Sequence, residues 1–290
     1  MDFSPQLVAL ASTAVYAAGN LYARVGLVHS TPLIVTLISL IVQTVVVWTI
    51  LLARGGVPAI DPRALIIFIA VGAVLPVVRL LSYIGIARIG SARSSSLRST
   101  HPFFSAALAI FFLGEPAKHH VMLGTLLIVA GIFFTCWERR RTNSEAKATD
   151  AFYPLAAAFM SGIIHPATRY ALTIANQPIA YSAIVGLVSL LCLSAYFLVS
   201  GQARRVAWPS RSALIPFVTA SMLETMGFLL FSAAVSLGPV VLIAPIMATT
   251  PMWVLLGSII LLRDLEKVTL RTALGSSAVV GGTILLALNK

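Results

Sequence analysis

The chain has 290 residues, of which 59% are hydrophobic and 10% charged, with a mean hydropathy of +0.97. A water-soluble domain of this size is excluded: stretches of about 20 apolar residues, enough to cross a ~30 Å hydrocarbon core, run nearly end to end. The net charge of +11 does not point to nucleic acid, because the basic residues sit at span ends and in short loops, where they set topology and meet anionic lipid.

A spanning backbone must be helical or a closed barrel. Barrel strands alternate apolar and polar residues, whereas the runs here are continuous, so the expected fold is all-α. Taken in chain order, ten transmembrane helices are predicted at 5–27, 32–53, 63–88, 91–113, 119–137, 152–174, 179–200, 211–236, 239–262 and 268–288. Pro5, Pro32, Pro62, Pro178 and Pro209 mark helix starts, where a missing N–H leaves no bond unmade. The first span has no preceding Lys or Arg and no cleavage signal, so it reads as a retained helix rather than a signal peptide. Helix 3 carries Arg79 and Tyr83. Helix 4 opens with a small, polar run from Ser91 to Thr100 that includes Arg98, followed by His101 and Pro102. Helix 6 holds His165, Pro166 and Arg169, helix 8 holds Glu224, and helix 9 holds Trp253. Cys136 and Cys192 lie in apolar segments without metal or redox spacing.

The chain also repeats itself. Arg24, Pro32, Pro62, Gly90, Pro102, Glu115, Gly124 and Gly131 recur as Arg169, Pro178, Pro209, Gly238, Pro251, Glu266, Gly275 and Gly282. A polar linker at 138–151 separates a first five-helix unit, 1–137, from a second, 152–290. An odd number of spans per unit inserts the second upside down, so the duplication predicts two inverted five-helix repeats. Loops after odd-numbered helices collect most of the Lys and Arg, including Arg139–Arg141, Arg204 and Arg205. The positive-inside rule then puts both termini outside the cytoplasm.

Ionisable groups inside a span are expensive and mark functional positions. Glu224 is the carboxylate farthest from a helix end, about thirteen residues or ~20 Å deep. Arg79 lies in the repeat-equivalent helix, one turn from Pro76, the position that aligns with Glu224. An Arg79–Glu224 ion pair across the repeat axis is therefore expected, either tying the halves together or opening during a cycle. Arg24, Arg98 and Arg169 lie near span ends, where a long side chain can snorkel; Arg24 and Arg169 are also repeat partners. His101 and His165 each precede a proline that frees a carbonyl one turn back, and freed backbone at membrane depth belongs beside a cavity. Tyr16, Tyr22, Tyr83, Phe103, Tyr170, Phe228 and Trp253 either line that cavity or pack. Gly124, Gly131, Gly275 and Gly282 read as helix-packing surfaces.

With these repeats the chain resembles the drug/metabolite transporter superfamily, in particular its ten-helix EamA-type members. The most specific stretch runs from Pro102 through Phe-Leu-Gly-Glu115 to Gly124 and Gly131; the second half repeats it with two extra residues between Pro251 and Glu266. Tyr16-Ala17-Ala18-Gly19-Asn20 stands where the family commonly has a Trp-Gly pair. The resemblance implies a central cavity walled by helices 1, 3, 4, 6, 8 and 9, with helices 5 and 10 peripheral.

The leading functional reading is a multi-pass transporter in a cell membrane, the resemblance implying a bacterial inner membrane. It moves a small anionic or zwitterionic solute by alternating access, with Arg79, Glu224, Arg24, Arg98, His101, His165, Arg169, Tyr83 and Trp253 as candidate solute-binding residues. Membrane lipid is its other expected partner, and a proton or counter-substrate enters if the ion pair opens. No cofactor, metal or catalytic residue is expected, and no phosphate-cradling Gly loop suggests ATP hydrolysis. The alternatives are an intramembrane lipid-phosphate hydrolase, whose residue types Arg79, Arg98, His101 and Glu224 match, and a non-transporting scaffold.

Overall fold

The computed structural model describes residues 4–104, 119–137, 148–200, 209–238, 243, 246–262, 265 and 268–287. Glu115, Glu266 and most of the polar linker lie outside the described residues. Over the rest the chain is helical, with ten α-helices: α1 Pro5–Leu27, α2 Pro32–Ala53, α3 Pro62–Ile89, α4 Ser91–Arg98, α5 His119–Trp137, α6 Phe152–Ile174, α7 Pro178–Val199, α8 Arg211–Leu237, α9 Thr250–Leu261 and α10 Leu270–Ala287. A single 3-10 turn, Ala148–Ala151, leads into α6. By length and composition, α2, α3, α7 and α8 are each apolar and long enough to cross a membrane.

Local chemistry explains the boundaries. Proline occupies the first turn of α1, α2, α3 and α7. The Ser4 hydroxyl and the Asp61 carboxylate accept from the first-turn amides of Leu7 and Arg63 at 3.3 and 2.8 Å. Gly90 ends α3 and starts α4 with φ +87°, a left-handed corner that a side chain would strain. Its repeat partner Gly238 is extended (φ −147°) and is needed instead for space, since a Cβ there would lie 2.9 Å from Pro5 Cβ.

The continuous helices expected at 91–113 and 239–262 are interrupted. α4 stops at Arg98, Ser99 and Thr100 form a turn, and helical residues resume at His101. In the second half Ala248 and Thr249 form the equivalent turn before Thr250. Pro102 and Pro251 cannot donate to the carbonyl four residues back and crowd it. The two breaks are bonded alike. Thr100 Oγ1 donates to the Leu97 carbonyl and Thr249 Oγ1 to the Ile246 carbonyl, each at 2.7 Å. The amides of Phe103 and Met252 donate to the Thr100 and Thr249 carbonyls, each at 2.9 Å.

The halves interleave rather than sit side by side. α1 lies along α8, and its repeat partner α6 lies along α3; α2 meets α7, and α5 meets α10. At the α5–α10 crossing, a Cβ on Gly131 would sit 2.7 Å from the Gly275 carbonyl oxygen. Reciprocally, a Cβ on Gly282 would sit 2.6 Å from that of Gly124. These pairings make the two partner helices antiparallel and bring their backbones into contact, as small residues allow in lipid. Interleaving places the centre of the molecule between α1, α3, α4, α6 and α8, drawn from both halves.

Candidate functional site

A cavity of about 130 Å³ occupies that centre. α1 contributes Tyr16 and Asn20; α3 contributes Arg79, Ser82 and Tyr83; α4 and its break contribute Ser95, Arg98, Ser99 and His101. From the second half come Ser161, His165 and Thr168 of α6, Glu224, Phe228 and Phe231 of α8, and Met247 and Thr250 at the α9 break. These are the helices that the resemblance implies, with Tyr181 of α7 added. Both breaks border the cavity, where unpaired backbone at membrane depth is tolerated.

The expected Arg79–Glu224 ion pair is not formed. Arg79 Nη1 donates to Ser39 Oγ at 3.1 Å and Nη2 donates to Gln43 Oε1, both acceptors belonging to α2. Glu224 instead accepts a hydrogen bond from the Tyr83 hydroxyl. Each charge thus has a neutral partner of its own, although both line one cavity. The physical reason is azimuth. Arg79 turns towards the α2 side of α3, where a buried amide and hydroxyl compete for the guanidinium with strong charge-assisted bonds.

Arg98 donates to Ser82 Oγ at 3.3 Å and lines the cavity. His101 and His165, one from each half, meet edge to face with ring centroids 4.5 Å apart, and His165 also packs on Phe231 at 5.1 Å. Tyr16, Arg79, Arg98 and Glu224 all line the one cavity. The cavity therefore combines two guanidinium groups, one carboxylate and a ring of aromatic faces.

Three of the sequence-predicted residues lie elsewhere. Arg24 Nη1 donates to the carbonyls of Ile86 and Ala87 at 3.2 and 3.0 Å, at the end of α3. Arg169 Nη1 donates to the Val235 carbonyl at the end of α8. The repeat alignment equates Ala87 with Val235, so both arginines make one staple twice, a cation at the negative end of a helix. Neither lines the cavity. Trp253 is 41% exposed on the outer face of α9, and Tyr22 and Tyr170 are also exposed.

Sequence reasoning missed Ser39 and Gln43, both fully buried. Gln43 carried a usable signal: it is the only side-chain amide in α2, whose other polar side chains are hydroxyls and the Trp48 indole, and a mid-span polar group needs a partner. Asn20 and Thr250 were also missed. They are the repeat partners of His165 and His101, so knowing one pair implicates the other. Thr168 and Tyr181, whose hydroxyls lie 2.8 Å apart, carried no signal beyond ordinary span polarity.

The model of the EamA-like transporter family matches residues 4–137 and again residues 150–288. A protein known from its crystal structure shares the fold, with 14% sequence identity, a TM-score of 0.67, and coverage of 97% of this chain and 95% of that one. No curated protein matches the chain in sequence. Two successive family matches, one per repeat, together with long apolar helices, show that this is a multi-pass membrane protein belonging to the EamA-like transporter family.

Proposed function

We propose that this protein is a secondary transporter of a small anionic or zwitterionic metabolite, working by alternating access between two inverted halves of five transmembrane helices. The observation that carries this reading is the placement of Arg79 and Glu224 in one cavity built from both halves, each held by a neutral partner. A solute carboxylate or phosphate meets Arg79 and Arg98, whose permanently charged guanidinium groups repel a purely cationic compound. The antiparallel α5–α10 crossing supports the inverted arrangement, and the two broken helices beside the cavity are the kind found at transporter binding sites. Glu224 is the coupling group: its carboxylate, bonded by the Tyr83 hydroxyl in this state, takes up a proton in another. The setting is a cell membrane, the bacterial inner membrane, with both termini outside the cytoplasm. There, cysteines introduced at 142–149 are labelled only from the cytoplasmic side.

Purified protein in liposomes tests the function. Uptake of a small amino acid or organic anion is expected to respond to an imposed proton gradient. Glu224→Gln is expected to abolish accumulation against a gradient while binding of an organic anion persists. Unchanged accumulation by that variant overturns the coupling role. Phosphate release from lipid phosphates without solute flux identifies the hydrolase alternative instead, and neither activity leaves the scaffold.

A further inference from the structure

Opposite charges in one low-dielectric cavity attract, yet Arg79 and Glu224 line the same cavity and bond to other groups. What keeps Arg79 from Glu224 is therefore a built feature. Gln43 is fully buried on α2, and its amide has one orientation that satisfies both neighbours: Nε2 donates to the Ser182 carbonyl on α7 at 3.4 Å, and Oε1 accepts from Arg79. Gly186 of α7 lies so close that a Cβ there would come within 3.2 Å of Gln43 Nε2. Ser39 donates to the Thr36 carbonyl at 2.9 Å, which turns its lone pairs towards Arg79. On the other side Tyr83, one turn beyond Arg79 on α3, donates to Glu224 Oε2. Gly19 admits the carboxylate's stem, since a Cβ there would lie 3.0 Å from Glu224 Cγ.

We propose that Gln43, with Ser39, is a positioning residue that holds Arg79 off Glu224, so that the cavity presents separated opposite charges and selects a zwitterion over a simple anion. The inference rests on the transport reading above and narrows its substrate class. A preformed ion pair would have to be opened by every incoming solute. Neutral partners leave the charges ready: the guanidinium retains donors for a carboxylate beyond those bonded to α2, and Tyr83 bonds only one oxygen of Glu224, so an ammonium group can meet the other. A solute carrying both groups satisfies both ends. A solute carrying only a carboxylate leaves Glu224 unmatched.

The test uses full-length protein in detergent and a panel of neutral amino acids, followed for the best binder by its deaminated acid and its decarboxylated amine. The amino acid is expected to bind wild type at least about tenfold more tightly than either one-ended analogue. Gln43→Met is expected to weaken amino-acid binding by about tenfold or more, as Arg79 turns to Glu224. Adding Glu224→Gln to Gln43→Met removes that competitor and is expected to restore binding of the deaminated acid. If Gln43 only packs, the second substitution restores nothing, and the proposal falls. A solute-free arm measures the thermal-stability coupling between Arg79→Met and Glu224→Gln in wild type and in the Gln43→Met background. The coupling should be larger in the latter; an unchanged value overturns the positioning role. Should Gln43→Met fail to fold, Ser39→Ala is expected to move both readouts in the same direction by less, and no movement overturns the proposal. If the coupling rises but no amino acid or anion binds wild type, the positioning role stands and the transport reading's substrate class is wrong.

Discussion

The two halves carry the same scaffold devices and different cavity side chains. Arg24 and Arg169 staple equivalent helix ends, and Thr100 and Thr249 close equivalent breaks with bonds of equal length. Gly131 and Gly282 make reciprocal contacts across α5 and α10. At the cavity the equivalences fail. Tyr16 answers to Ser161, Asn20 to His165, Tyr83 to Phe231, Arg98 to Met247 and His101 to Thr250, all of them lining residues. Arg79 corresponds to Gly227, against which Tyr16 packs, and Glu224 to Pro76. What the repeats share is therefore structure; what they do not share is the chemistry of the site. Such asymmetry fits a solute with two unlike ends.

Substitutions can break this division. The largest effect belongs to the glycine crossing: Gly131→Ala and Gly282→Ala each drive a Cβ into a backbone carbonyl oxygen 2.7 or 2.6 Å away and should each destabilise by about 3 kcal/mol or more, the upper end for overpacking, measured by thermal unfolding in detergent. Next come the staples. Arg24→Met and Arg169→Met should each cost roughly 1.5–3 kcal/mol, the value of bonds to a charged group, and leave solute affinity unchanged. A shift in affinity without a loss of stability would return either arginine to the site. Arg98→Met, which copies the second half's Met247 into the first, should do the reverse, weakening binding of an anionic group about tenfold with little change in stability. Thr100→Val and Thr249→Val should each cost about 1 kcal/mol, and by similar amounts, because their bonds are the same. Trp253→Ala should change neither readout.

Much of the fold was legible because punctuation and period are local properties. The predicted ends of α1, α2 and α6 coincide with those observed. The repeat marked Gly124, Gly131, Gly275 and Gly282 as packing surfaces without pairing α5 with α10, and the family resemblance implied the candidate cavity helices. The breaks were half visible: Pro102 and Pro251 announced weakened helices, but the turns also need Thr100 and Thr249, whose hydroxyls read as ordinary span polarity. The partners of Arg79 were not legible. Counting residues gives depth along a helix, and depth alone made Glu224 the natural partner. Which neighbour a side chain faces depends on lateral helix order, which a single sequence does not contain. Arg24 and Arg169 illustrate the same gap: their depth suggested snorkelling, and only the packing of α1 beside the end of α3 and of α6 beside the end of α8 shows the carbonyls they reach.

The most direct measurement compares binding of a carboxylated solute with that of its uncharged amide in wild type and Arg79→Ala. Purified protein is first screened by thermal shift against amino acids, organic anions and lipophilic cations to choose the solute. Arg79→Ala should weaken binding of the carboxylated form by about tenfold or more and leave the amide nearly unaffected. Equal loss for both forms, or stabilisation of wild type by lipophilic cations alone, would contradict the account.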